Sequence, residues 1–192
     1  MNIAYVTADD PHSLKSWSGL SHYIAESLKP HGANIHYLGP LKFEVSPTMG
    51  LRRRLWRLVG KDLLEDREPS IVRGRGRQVM EKLRGLQVDV LFATHTELLA
   101  ECRTDLPIAY WSDSNFGCML GEYPYFQNLN PCVIRRGHDY ERRALQRADL
   151  VFCACDWARD AAISQYGADP EKVKVIPFGA NIHCDQIGRA HV

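Results

Sequence analysis

No stretch of this 192-residue sequence approaches the ~20 consecutive apolar residues that a membrane-spanning helix needs. No targeting leader is expected either: Met1-Asn2-Ile3-Ala4-Tyr5 runs straight into an apolar segment, with no basic start and no cleavage site. No G-x-G-x-x-G fingerprint follows that segment, which disfavours nicotinamide binding. Charge of one sign is scarce as well. With 24 Lys+Arg against 23 Asp+Glu the formal charge is +1, so no global field points to a nucleic acid. The six cysteines are scattered rather than set in a secreted-type framework, and are read as reduced thiols of a cytoplasmic protein. Cys153 and Cys155 fit no common zinc pattern, so no metal is expected.

What is present is ordinary globular composition, 45% hydrophobic and 24% charged, in a length suited to one domain. Charge is spread unevenly. Residues 51–84 hold eleven Lys/Arg against five Asp/Glu, a basic patch on a nearly neutral chain.

Short β-rich runs alternate with helical periodicity. Strands are predicted at Asn2–Thr7, Asn34–Leu38, Val88–Ala93, Pro107–Trp111, Leu150–Cys153 and Val173–Ile176. Helices are predicted from Leu20 to Gly32, over 51–60, from Pro69, from about Glu97, over 138–148, and from an Asp156 cap to Gly167. The alternation predicts an α/β fold, a doubly wound and mostly parallel Rossmann-like sheet. Within 51–60, Leu51, Leu55, Leu58 and Val59 share one face, with Arg52, Arg53, Arg54 and Arg57 around the rest. Such a helix either packs on the core with a solvated basic face or rests on an anionic membrane through residues 51–59.

Ligands of an open parallel sheet bind beyond the carboxyl ends of its strands, so the polar residues just after each strand are the candidates. Ser18-Gly19, immediately before a helix, offers backbone N–H groups suited to a phosphate, or is an ordinary cap. Asp113 can accept a hydrogen bond from a sugar hydroxyl, act as a base, or cap the next segment. His95, between two threonines, can donate to a phosphate or hydroxyl, or be a satisfied loop histidine. Tyr123 and Tyr125 can line an acceptor cleft, or simply pack.

Several segments together resemble the N-terminal half of a glycosyltransferase family 4 enzyme across residues 2–182. They are Ser16-Trp17-Ser18-Gly19 leading into His22-Tyr23, then Tyr110-Trp111-Ser112-Asp113, and Glu141-Arg142-Arg143-Ala144-Leu145 through Leu150. The ending adds Tyr166-Gly167-Ala168-Asp169-Pro170 and Val175-Ile176-Pro177-Phe178-Gly179-Ala180-Asn181. The resemblance implies a GT-B architecture of two Rossmann-like domains facing across a cleft. It implies transfer of a sugar from a nucleotide-sugar to a hydroxyl acceptor, such as a glycan or lipid-linked sugar, with retention and without a metal or other cofactor. The N-terminal domain would bind the acceptor, and the nucleotide would be held by the second domain. On that reading Ser18 and Gly19 lie near the donor phosphates and Asp113 orients the acceptor hydroxyl. Two features depart from the family pattern. Only Gly19 stands where many members carry adjacent glycines, and Asp113 stands where many carry a histidine.

The domain is expected to span 1–182, with 183–192 the start of a linker and a non-native tail. Ile187-Gly188-Arg189-Ala190-His191-Val192 matches the translation of a common sequencing-adapter DNA, so native sequence is expected to end near Asp185. The chain is then expected to be a fragment, inactive by itself. Two other functions compete: a non-catalytic carbohydrate- or nucleotide-binding module, and a sugar epimerase or dehydrogenase. The missing glycine fingerprint and the missing Tyr-x-x-x-Lys pair disfavour the latter.

Overall fold

A computed structural model describes residues 1–181; the stretch read as linker and non-native tail lies outside the described residues. Six parallel strands form one sheet: β1 (Asn2–Val6), β2 (Asn34–Tyr37), β3 (Val90–Ala93), β4 (Ile108–Ser112), β5 (Leu150–Cys153) and β6 (Val173–Val175), in the order β2-β1-β3-β4-β5-β6. Each adjacent pair is in parallel register, for example Tyr5 opposite Phe92 and Tyr110 opposite Val151. The predicted α/β class is what the chain adopts. The order reverses between β1 and β3, and in open parallel sheets ligands bind near such a switch point, beyond the carboxyl ends of the strands.

Alternation along the strands divides the core in two, because successive side chains point to opposite faces. Ala4, Val6, Leu91, Ala93, Tyr110 and Val151 face one side. There they meet helices α3 (Pro69–Leu83), α4 (Thr96–Leu99), α6 (Pro131–Arg147) and α7 (Asp156–Tyr166). Ile3, Tyr5, Phe92 and Ala109 face the other side, against Ile24 and Ala25 of α1 (Leu20–Leu28). On that side Phe178 comes back over Trp111 and Trp17, with ring centroids 5.1 and 5.7 Å away. The Trp111 Nε1–H donates to the Ile176 carbonyl at 3.1 Å, and Asn181 Nδ2 donates to the Ser18 carbonyl at 2.9 Å. The Pro177–Asn181 stretch is thereby held beside the loop that follows β1.

Three local expectations need correction. The helix predicted over 138–148 begins at Pro131, because the Asn130 side chain accepts from the Val133 N–H and proline suits the first helical turn. Asp156 is the first residue of α7 rather than its cap: Cys155 takes the cap position, and Asp156 pairs with Arg159 instead. The helix from about Glu97 is a single turn, α4. Tyr140, Ala144, Leu145 and Ala148 are buried, as the periodicity predicts.

Helix α2 (Met49–Leu58) carries the basic segment. Its leucine stripe does not pack on the core: Leu51, Leu55, Leu58 and Val59 are exposed, Leu58 to 78%. The helix is anchored by Met49, which is buried, and by charge. Arg52 makes a two-pronged pair with Glu68 at 2.6 and 3.2 Å, and Arg53 meets Glu65 at 2.6 Å. Glu68, 1% exposed, also receives Arg136 of α6 at 2.7 Å. No helix among the described residues is long and apolar enough to cross a membrane.

Candidate functional site

A cleft of about 380 Å³ opens at the carboxyl ends of β3 and β4, within the ~300–1,000 Å³ usual for small-molecule sites. The β3 end supplies Thr94, His95, Thr96 and Glu97, and the β4 end supplies Tyr110, Ser112, Asp113 and Ser114. Trp17 enters from the loop after β1, and Met119, Tyr123, Tyr125 and Phe126 from the segment around α5 (Phe116–Met119). Four residues singled out in the sequence, His95, Asp113, Tyr123 and Tyr125, thus meet in one cleft although they come from three separate segments.

Their local geometry differs. The His95 ring packs on Trp17 with centroids 5.1 Å apart, and its Nδ1 lies 2.9 Å from the Thr94 hydroxyl. Asp113 is exposed and does not cap the following helix, whose cap is Asn115. Its Oδ1 accepts only long bonds from the Ser112 and Ser114 hydroxyls, at 3.3 and 3.4 Å. Its carboxylate is therefore presented to the cleft with most of its accepting capacity free of tight bonds. Tyr125 is 78% exposed and Tyr123 half-exposed, so both rings offer faces to a ligand rather than packing inward.

Ser18 and Gly19 are not among the cleft-lining residues, although Trp17 next to them is. Trp17, Ser18 and Gly19 all have positive φ (45, 53 and 75°), a run of left-handed backbone rare outside glycine. A Cβ on Gly19 would also stand 3.2 Å from the Tyr23 ring. Gly19 caps α1 without a side-chain bond, and the first N–H of the helix, that of Leu20, already donates to the Trp17 carbonyl.

Beneath the cleft lies a buried ionic cluster that sequence reasoning did not find. Arg67 and Glu97, both nearly buried, pair at 2.8 Å. Thr96 Oγ1 donates to Glu141 Oε2 at 2.6 Å. Glu141, on α6, is 2% exposed, and its other oxygen has no hydrogen-bond partner among the described residues; the same is true of Arg67 Nε. Burial pushes the Glu141 carboxyl up to about 7, against the Thr96 hydroxyl, Arg67 and, more weakly, the Phe116 backbone N–H, which pull it down. Burial also pushes Glu97 up, but Arg67 and then His95 outweigh it and hold that carboxyl below its ordinary value. A trace of this was readable: Glu141 shares a helical face with Leu145 and Ala148, and a carboxylate in an apolar stripe is unusual. Arg67, in a single turn at Glu65–Arg67, carries no such signal.

No group of three His, Cys, Asp or Glu side chains able to hold a metal occurs among the described residues. The Glycosyltransferase Family 4 profile matches residues 20–183. The chain belongs to Glycosyltransferase Family 4. A search of curated proteins finds no match. In this family 4 domain the matched region includes every cleft-lining residue except Trp17, and begins just after Gly19.

Proposed function

We propose that this chain is the acceptor-side domain, residues 1–182, of a retaining GT-B glycosyltransferase that moves a sugar from a nucleotide-sugar to a hydroxyl acceptor. The observation that carries the reading is the convergence of His95, Asp113, Tyr123 and Tyr125 on one cleft at the carboxyl ends of β3 and β4, next to the switch point of the sheet. Asp113 accepts the hydrogen bond of the attacking hydroxyl and orients it; the tyrosine rings support the body of the acceptor. The bond from the sugar's anomeric carbon to the diphosphate breaks, its electron pair leaving with the diphosphate. The acceptor oxygen bonds to that carbon from the same face and yields its proton to the departing phosphate. Stabilising that developing negative charge is the main catalytic requirement. The backbone N–H groups near Ser18 and Gly19 supply part of it, and a second domain facing the cleft holds the nucleotide.

This domain by itself is expected to hold nucleotide-sugar poorly and to be inactive. Arg67, the one Lys or Arg lining the cleft among the described residues, is already paired with Glu97. The reaction needs no resident metal or cofactor on this reading. The enzyme works in the cytoplasm, with the exposed leucine and arginine face of residues 51–59 against an anionic membrane surface.

A glycan microarray tests the assignment. The chain should retain a subset of immobilised glycans, and Tyr125→Ala should abolish retention without unfolding the protein. Retention of no glycan, or micromolar binding of common nucleotide-sugars in calorimetric titration, would contradict it.

A further inference from the structure

Besides Glu97 Oε2, which the ion pair with Arg67 holds, two polar atoms beneath the cleft are buried without a hydrogen-bond partner among the described residues: the acceptor Glu141 Oε1 and the donor Arg67 Nε. Leaving such atoms unpaired in the folded chain costs free energy, commonly ~1–3 kcal/mol for each neutral group and more for a charged one. Both residues line the cleft. One accepts and one donates, and a hydroxyl does both. Around them the cleft is short of free positive charge. Arg67 is held by Glu97 at 2.8 Å and by Asp66 at 3.5 Å, so its charge is already balanced, and Asp113 adds an unpaired carboxylate at the rim. A phosphate or carboxylate on the acceptor would meet that carboxylate and find no free cation to offset it, an unfavourable encounter in a partly desolvated cleft. Trp17, Tyr123 and Tyr125 add the flat apolar faces on which the C–H side of a sugar ring can rest.

We propose that Glu141, with Thr96 and Arg67, forms the specificity floor of the acceptor cleft, selecting a hydroxyl-bearing ring without an anionic substituent. The proposal rests on the acceptor-cleft reading above. In it Glu141 Oε1 accepts from a ring hydroxyl whose oxygen receives the Arg67 Nε–H. Thr96 fixes the carboxyl by its 2.6 Å bond to Oε2. Glu141 is a specificity residue that touches the acceptor; it is not the group that orients the attacking hydroxyl, which is Asp113.

The test uses NMR of the full chain with labelled methyl and indole groups, titrated with methyl β-D-glucopyranoside and separately with its 6-phosphate. The neutral glycoside should shift the Thr96 and Met119 methyls and the Trp17 indole, saturating at least tenfold below the phosphate. Glu141→Leu, which fills the same space without an acceptor, should weaken the neutral glycoside roughly tenfold or more. Glu141→Gln, which keeps a carbonyl there, should stay within about threefold of the parent. Equal or tighter binding of the phosphate would overturn the specificity claim while leaving the acceptor cleft standing. So would full binding by Glu141→Leu. Failure of both glycosides to move any cleft signal would overturn the specificity claim and the acceptor-cleft reading together. The comparison of the two glycosides needs no variant, so it decides the matter even if Glu141→Leu does not fold.

Discussion

Replacing Glu141 by glutamine removes one proton equilibrium from the interior and changes little in shape. Burial raises that carboxyl from an ordinary 4.5 to about 7 in the folded chain. A carboxyl raised on folding keeps its proton longer in the folded state than in the unfolded one. Between about pH 4.5 and pH 7 the folded state therefore binds the extra proton, and stability falls as pH rises through that window. Each pH unit of separation corresponds to ~1.4 kcal/mol, so the full effect is about 3 kcal/mol, lost by about pH 8. Glutamine has no such dependence. Other titratable groups facing Glu141 do not confuse the comparison. Tyr110, Tyr166 and Cys153 are all pushed upward by burial, out of the window, and Cys118 is raised as well. Glu97 is held low by Arg67, so its own contribution is lost only below the window. Urea unfolding of both proteins at about pH 4 and about pH 8 measures the difference. Relative to the parent, Glu141→Gln should gain about 3 kcal/mol between the two conditions. A change under about 0.5 kcal/mol, or one of opposite sign, would refute the claim that Glu141 is buried at the cost of its charge.

Asp113→Asn should leave stability within about 0.5 kcal/mol, because the residue is exposed and caps no helix. It should weaken retained glycans about tenfold on the array; lost stability with intact binding would return Asp113 to a structural role. Glu68→Ala leaves Arg52 and Arg136 without their buried partner and should cost about 3 kcal/mol in urea unfolding, releasing α2 from the body. A cost under about 1 kcal/mol would show that α2 is anchored some other way. The exposed leucines of α2 with Arg53, Arg54 and Arg57 should sediment the protein with anionic vesicles, each arginine near the surface adding about 1 kcal/mol. Equal pelleting with neutral vesicles would end the membrane assignment.

The fold was legible in the sequence because buried parallel strands read as continuous apolar runs, and all six strand positions were readable to within two residues at either end. The turns were legible where chemistry marks them: Gly167 closes α7 as its position predicts. Helix α6 starts seven residues before the predicted 138, with Pro131 and Gly137 inside it. In the folded chain Pro131 sits in the first turn, where it is tolerated, and Gly137 is there for contact. A Cβ at Gly137 would overlap the Phe116 ring. The upper rim of the cleft was legible from the rule that ligands gather after strand ends, which singled out His95 and Asp113. The floor was not. Arg67 and Glu141 are 74 residues apart in number and meet Glu97 only through the packing of α4 and α6 on the sheet. Helix α2 shows the opposite limit: periodicity gave its apolar stripe, but only the tertiary structure shows that nothing covers it.

The central claim is that the cleft between the ends of β3 and β4 receives the acceptor. Photoaffinity labelling tests it most directly: a neutral glycoside carrying a diazirine is cross-linked to the full chain, and the adducts are located by mass spectrometry. Adducts on residues 94–97 and 112–126, and their loss when unmodified glycoside is added in excess, are the predicted result. Adducts confined to α2 or to the sheet face beneath α1, or labelling that excess glycoside does not suppress, would contradict it.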